Sequence, residues 1–176
     1  MLVGILVGGA SRRMGRPKGL IERDGEPLLR RTVRVVREAG LQPVLLGNDT
    51  PYRHLEPEVP RLPDLYGGAG PIAGLHALLE ATDRGILLGC DMPYIEAEDL
   101  RRLASDPRNP PLLAARRQTW EPLFARYEGG RVRPVLTAYL AQGRRSLLGL
   151  FDRLPVEELP VAPDRLDDWD RPGDLP

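Results

Sequence analysis

The only lysine in this chain of 176 residues is Lys18, and every other one of its 25 basic residues is arginine. Lys18 closes a glycine-rich stretch, Leu6-Val7-Gly8-Gly9-Ala10-Ser11-Arg12-Arg13-Met14-Gly15-Arg16-Pro17-Lys18. A lysine is a compact point charge on a flexible stem, whereas arginine is a planar fork. Glycines let backbone amides come close to a phosphate. Arg12, Arg13, Arg16 and Lys18 set up to four cations around that spot, a local anion site suited to a di- or triphosphate. The stretch is neither of the two common phosphate loops. After Gly15 the P-loop requires Lys and then a hydroxyl, but Arg16-Pro17-Lys18-Gly19 stands there, and the dinucleotide fingerprint requires spaced glycines opening a helix.

A second candidate is Asp91, directly after the apolar run Leu87-Leu88-Gly89-Cys90. A carboxylate at the carboxyl end of a buried parallel strand stands where magnesium and phosphates meet. The competing reading is helix capping, with Asp91 or Glu96 opening the next helix. Asp64 reads either as a contact to a base or ribose, or as a turn-forming residue after Pro63. Asn48, at the end of another apolar run, has the same ambiguity. His54 and His76 show no metal spacing, and His76 reads as a packing residue beside Leu75.

These residues need a scaffold, and the chain supplies one of ordinary size. Its length fits a single domain with a full core. The net charge is zero, so no broad electrostatic footprint for nucleic acid or an anionic membrane is expected. One cysteine, Cys90, excludes an intrachain disulfide framework and suits a reducing compartment. The apolar start Met1–Val7 is too short for a secretory leader, and no apolar run reaches bilayer length. A cytoplasmic location is expected.

Apolar runs at 2–7, 44–47 and 85–89 read as buried strands. Helices are predicted over 27–39, from Pro71 onward and over 96–104. This alternation predicts an α/β three-layer sandwich with a mainly parallel sheet. The second half is less regular, with strands expected at 112–115 and 123–127 and helices at 131–141 and 145–151. Pro51–Pro63 reads as irregular, and the Pro- and Asp-rich stretch from Pro155 reads as lying along the surface. The chain is expected to be one domain over 1–176. Two halves are expected within it, 1–105 and 106–176, the first carrying the candidate phosphate-binding residues.

The motifs together resemble a known family. Leu6 through Leu20 resembles the L-A-G-G-x-S-x-R-M-G-x-(x)-D-K-x-L signature of the molybdenum cofactor guanylyltransferases. Asp64 through Gly74 is similar to that family's D-x-x-x-x-x-G-P-L-A-G, and Cys90-Asp91-Met92-Pro93-Tyr94 to its C-D-M-P-F. Glu121-Pro122-Leu123-Phe124-Ala125 resembles its mid-chain segment, and Asp168 through Leu175 its closing N-x-N-T-P-E-D-L. The resemblance implies a Rossmann-like, nucleotide-diphospho-sugar transferase (GT-A-like) fold. It also implies Mg2+-dependent transfer of GMP from GTP to molybdopterin or the molybdenum cofactor, with release of pyrophosphate. Leu6, Val7, Gly8 and Gly9 would then meet the nucleotide, the first three through backbone. Arg13 and Lys18 would serve the phosphates, Asn48 and Asp64 the nucleoside. Asp91 would hold magnesium and touch the nucleotide, with Asp170 as a second metal ligand or else a surface residue of an acidic tail. Further implied partners are other cofactor-synthesis and acceptor proteins.

The chain departs from the pattern at four places. Val7 replaces Ala, the loop is a residue short, Pro17 stands where Asp precedes the lysine, and Asp168 and Asp170 replace the two closing asparagines. Two alternatives remain at this point. One is a molybdopterin cytidylyltransferase or another nucleotidylyltransferase, although the cytidylyl enzymes begin L-A-A-G. The other is a nucleotide-binding regulator without turnover. Arg116, Arg117, Trp120 and Arg144 are candidates for a pterin pocket, since an aromatic ring and cations suit a pterin phosphate.

Overall fold

The computed structural model describes residues 1–7, 17–47, 50–64, 66–67 and 69–169. The first strand, β1 (Leu2–Leu6), is the apolar run and is buried over four of its five residues. A 3-10 turn over Lys18–Leu20 leads into a small hairpin of β2 (Glu22–Arg23) and β3 (Glu26–Pro27). Its turn residues Asp24 and Gly25 take φ of 54° and 79°. Two successive left-handed residues match the right-handed twist of a hairpin, which is why Asp-Gly sits there. Helix α1 (Leu28–Glu38) buries Leu29, Val33 and Val36, one face at helical spacing. Strand β4 (Gln42–Leu46), a 3-10 turn over Thr50–Tyr52 and strand β5 (Arg61–Leu62) follow. Helix α2 (Pro71–Ala81) starts with proline at its first turn, where the missing N–H leaves no bond unmade. Strand β6 (Arg84–Gly89) then leads to α3 (Ala97–Ser105).

The second half adds β7 (Leu112–Arg116), β8 (Trp120–Glu128), α4 (Gly129–Ala141), α5 (Leu147–Phe151) and β9 (Val156–Glu158), then a 3-10 turn over Pro163–Leu166. Strands from both halves build one seven-stranded sheet in the order β5-β4-β1-β6-β8-β7-β9. Strand β8 runs antiparallel to β6 and β7, while the remaining pairs are parallel. The expected α/β sandwich with a mainly parallel sheet is the observed fold.

Alternation along the strands feeds two cores. Val3, Ile5, Leu45, Ile86 and Leu88 pack with the apolar residues of α1 and α3. Leu6, Val44, Leu46 and Leu87 face the other way, onto α2, α4 and α5. Helix α2 lies close against β1: a Cβ on Gly74 would come within 2.6 Å of Leu6 Cδ2.

Two expectations need correction. The stretch from Pro155 does not simply run over the surface. Its residues 156–158 pair in parallel with β7 as the sheet's last strand, and Leu159, Leu166 and Trp169 are buried. Prolines and aspartates space these apolar residues too widely for any periodic signal. Within Pro51–Pro63 the chain makes a 3-10 turn and the two-residue edge strand β5 between Pro60 and Pro63. Tertiary pairing with β4 creates that strand, and no local pattern announces it. His76 packs as expected, buried with its ring edge-on to Tyr66 at 4.8 Å.

Candidate active site

Strand register sets the carboxyl ends of four strands in one row at an edge of the sheet. Leu62 pairs with Leu46, Leu46 with Leu6, and Leu6 with Gly89, a row across four parallel strands. Two residues beyond these positions in sequence stand Asp64, Asn48, Gly8 and Asp91. Strand order reverses here: from β1 the chain moves outward to β4 and β5, then returns to β6 on the opposite side of β1. The crevice beyond the carboxyl ends at such a switch point is where open α/β sheets bind ligands. Gly8, Gly9, Arg13, Asn48 and Asp170 lie outside the described residues.

Lys18 and Asp91, 73 residues apart, meet in this crevice. Lys18 Nζ donates to Asp91 Oδ2 at 2.6 Å, with the side chains 21% and 14% exposed. The partly covered position strengthens the attraction over that of a surface pair. A glycine makes room beside each partner. A Cβ on Gly19 would lie 2.8 Å from Tyr52 Cε1, so glycine lets the Lys18 turn settle onto the buried Tyr52 ring. A Cβ on Gly89 would lie 2.6 Å from Asp91 Oδ1, so glycine leaves the carboxylate its space over the strand end. Burial raises the Tyr52 phenol to about 12. Burial, followed by the Asp91 charge, pushes the Cys90 thiol up, which makes it an inert core residue.

Asp91 does not cap the following helix. Glu96 does, in a reciprocal capping box with Asp99, which leaves the Asp91 carboxylate to Lys18. The intervening loop is clamped through its carbonyls. Arg31 Nε donates to Pro93 O at 2.7 Å, Arg23 bonds to the same oxygen, and Arg165 donates to Tyr94 O at 3.2 Å. The Arg23 guanidinium also lies 4.5 Å over the Tyr94 ring. Trp169 N–H donates to Asp91 O at 2.9 Å. These supporting residues escape a reading of the sequence because they act on backbone oxygens, whose positions no residue type reveals.

Leu6 ends β1, and Val7 donates its N–H to Leu46 O at 3.0 Å. Asp64 Oδ1 accepts from Tyr66 N–H at 2.8 Å, the turn-forming geometry. In the second half of the chain, Arg116 and Trp120 are register partners at the β7–β8 turn, with the guanidinium 5.1 Å over the indole. Since Leu88 pairs with Phe124, residues 120–123 of antiparallel β8 extend past that point toward the Asp91 edge. Arg117 is held by Glu121 at 2.8 Å and Asp167 at 3.1 Å. Arg144 follows α4, over the Tyr139 ring at 5.7 Å.

The donor set at this edge suits a small hard cation assisted by phosphates. Among the described residues no three His, Cys, Asp or Glu side chains gather as a ready-made metal cluster. Asp91 brings a carboxylate, and magnesium characteristically takes one or two carboxylates and completes its shell from phosphate and water. Among the described residues no helix is long and apolar enough to cross a membrane.

A mainly parallel α/β sheet with a lysine–aspartate pair at its switch point is the arrangement of a ligand-binding α/β protein, and comparison with known proteins narrows its class. The family profile described as MobA-like NTP transferase domain matches residues 3–157. The chain belongs to that family. It is 36% identical to a probable molybdenum cofactor guanylyltransferase of Opitutus terrae, over 97% of this chain and 90% of that protein. It is 35% identical to a molybdenum cofactor guanylyltransferase of Pseudomonas putida, over 96% and 92%. Among solved structures, molybdopterin-guanine dinucleotide biosynthesis protein A from Archaeoglobus fulgidus aligns with a TM-score of 0.84 at 27% identity, covering 99% of this chain and 94% of that one. The fold is shared more widely. A 2-C-methyl-D-erythritol 4-phosphate cytidylyltransferase from Thermus thermophilus aligns with a TM-score of 0.70 at 14% identity, over 97% and 93%.

Proposed function

We propose that this protein transfers GMP from GTP to the terminal phosphate of molybdopterin, or of its molybdenum form, and releases pyrophosphate. The observation that carries the reading is the Lys18–Asp91 pair at the switch point, in a chain of the MobA-like family whose relatives are molybdenum cofactor guanylyltransferases. An oxygen of the pterin phosphate forms a bond to the α-phosphorus of GTP. The bond from that phosphorus to the bridging oxygen of the β-phosphate breaks, and pyrophosphate leaves with the electron pair.

The protein's contribution is placement and charge, as in phosphoryl transfer generally. Lys18 offsets negative charge on the triphosphate and on the departing pyrophosphate, with Arg13 assigned to the same task from the sequence. Asp91 would hold magnesium, with Asp170 as the second candidate ligand. Bound there, the ion would supply charge neutralisation to the phosphate oxygens. The Arg116–Trp120 pair offers a stacking surface and a cation at the acceptor-side edge, in keeping with a pterin phosphate. A cytoplasmic site of action fits the single, buried Cys90.

Pyrophosphate release should be measured with GTP, CTP, ATP and UTP, with magnesium or with a chelator, and with and without molybdopterin. The expected result is release with GTP alone that needs both pterin and magnesium. Release with CTP in place of GTP would move the protein to cytidylyl transfer. GTP binding without release would make it a regulator.

A further inference from the structure

Trp169 is buried to 2% exposure in a region the sequence presents as polar tail. It forms a small apolar cluster of its own with Ile21 and Leu28, against which Tyr94 packs. These neighbours come from two different sides of the site. Ile21 follows the turn that carries Lys18 and donates its N–H to Lys18 O at 3.0 Å, and Leu28 N–H returns to Ile21 O at 2.8 Å. Tyr94 belongs to the loop that begins at Asp91, with its ring edge-on to the indole at 6.3 Å. The backbone of Trp169 also reaches Asp91 itself, since its N–H donates to the Asp91 carbonyl at 2.9 Å. One residue therefore touches both walls that bring Lys18 and Asp91 to 2.6 Å.

We infer that Trp169 is a positioning residue for the reaction. Its indole wedges the Lys18 turn and the Asp91 loop at a fixed separation, and its N–H anchors the Asp91 backbone. The inference rests on the proposed transfer reaction for its kinetic form. The physical reason is that reacting groups must be held near their productive geometry, and a displacement of about 1 Å can cost about 100-fold in rate. An ordinary core residue that falls away costs stability without that selective effect on turnover. An indole is the largest rigid wedge available, and a phenyl ring preserves most of that function where an alanine does not.

The test compares pyrophosphate release and thermal midpoints for the wild type, Trp169→Ala, Trp169→Phe and Leu150→Ala. Leu150 is a fully buried residue of α5, on the opposite face of the sheet, and controls for stability alone. All rates are read well below the lowest midpoint. The expected result is a kcat lowered about 10- to 100-fold in Trp169→Ala, with KM for GTP raised about tenfold or more. Trp169→Phe should recover most of the rate, and Leu150→Ala should keep it. A Trp169→Ala kcat within about twofold of wild type would overturn the inference, as would an equal loss in Leu150→Ala. If Trp169→Ala does not fold, Trp169→Leu takes its place. Failure of the underlying reaction would show separately, as wild-type protein that releases no pyrophosphate. The same four proteins are then compared by calorimetric binding of magnesium-GTP. At least tenfold weakening in Trp169→Ala, rescued in Trp169→Phe, supports the wedge, and equal affinities refute it.

Discussion

At the scale of residues, the site turns on a short contact between one ammonium and one carboxylate. Lys18→Ala should lower turnover by about 10²–10³, the scale of losing one preorganised group that stabilises transition-state charge. Lys18→Arg should restore it only in part, because a bulkier planar fork delivers its charge in a different place from the compact ammonium beside Asp91 Oδ2. Steady-state kinetics on the two variants settles both statements, and near-wild-type turnover in Lys18→Ala would remove Lys18 from the chemistry. Gly89→Ala should act through geometry. Its new Cβ would press on Asp91 Oδ1 from 2.6 Å, so turnover falls while the thermal midpoint moves by only a few degrees. A variant that unfolds instead would assign Gly89 to the core. The two partners of that contact were visible in the sequence for different reasons, Lys18 as the single lysine beside a glycine-rich stretch and Asp91 as the carboxylate directly after an apolar run. The wedge of Trp169 was not, because its meaning lies in a backbone N–H and in neighbours more than 70 residues away.

At the scale of elements, the capping residues decide which polar groups are left for chemistry. The Glu96–Asp99 box starts α3, and the end of the same helix is closed from the sheet. Arg126 of β8 is fully buried and donates to Leu103 O at 3.0 Å and to Asp106 O at 2.9 Å. A cation at a helix carboxyl end satisfies orphan carbonyls and complements the dipole. Arg126→Ala would leave those carbonyls without a donor and take one of two arginines from Glu128. A destabilisation of about 3 kcal/mol is expected, measured as a lower urea midpoint, and a change under about 0.5 kcal/mol would contradict the capping role. Helices α1 and α3 were legible because their apolar residues recur at the spacing of one buried face, and strands β1, β4 and β6 because they are short continuous apolar runs. Strands β5 and β9 were not, since two or three residues carry no period and owe their conformation to β4 and β7.

At the scale of the whole molecule, folding buries groups that must stay protonated. The Tyr52 phenol rises from an ordinary 10 to about 12 through burial. In the interval between those values the folded protein keeps a proton that the unfolded chain releases. This contribution is therefore intact below about pH 10 and is lost as pH climbs toward about 12. Cys90, also pushed up by burial, adds a loss of the same sign. Thermal midpoints should fall on alkaline titration, less steeply in Tyr52→Phe, and identical slopes for the two proteins would exclude Tyr52 as a source.

The outer strands of the sheet bear on how the protein behaves in a crowded solution. An open sheet ends in unpaired amides and carbonyls that invite a further chain, and solubility depends on how much of that backbone is offered. Here one rim is β5, two residues between Pro60 and Pro63, and the other is β9, three residues with Glu157 and Glu158 exposed. Short length, proline and charge leave little template for strand addition, so native molecules should resist fibrillar growth. Glu157→Val with Glu158→Thr lengthens the apolar, β-prone rim. Light scattering at high concentration should rise for that double variant, and unchanged scattering would mean that other features of the rim suffice to keep the chains apart.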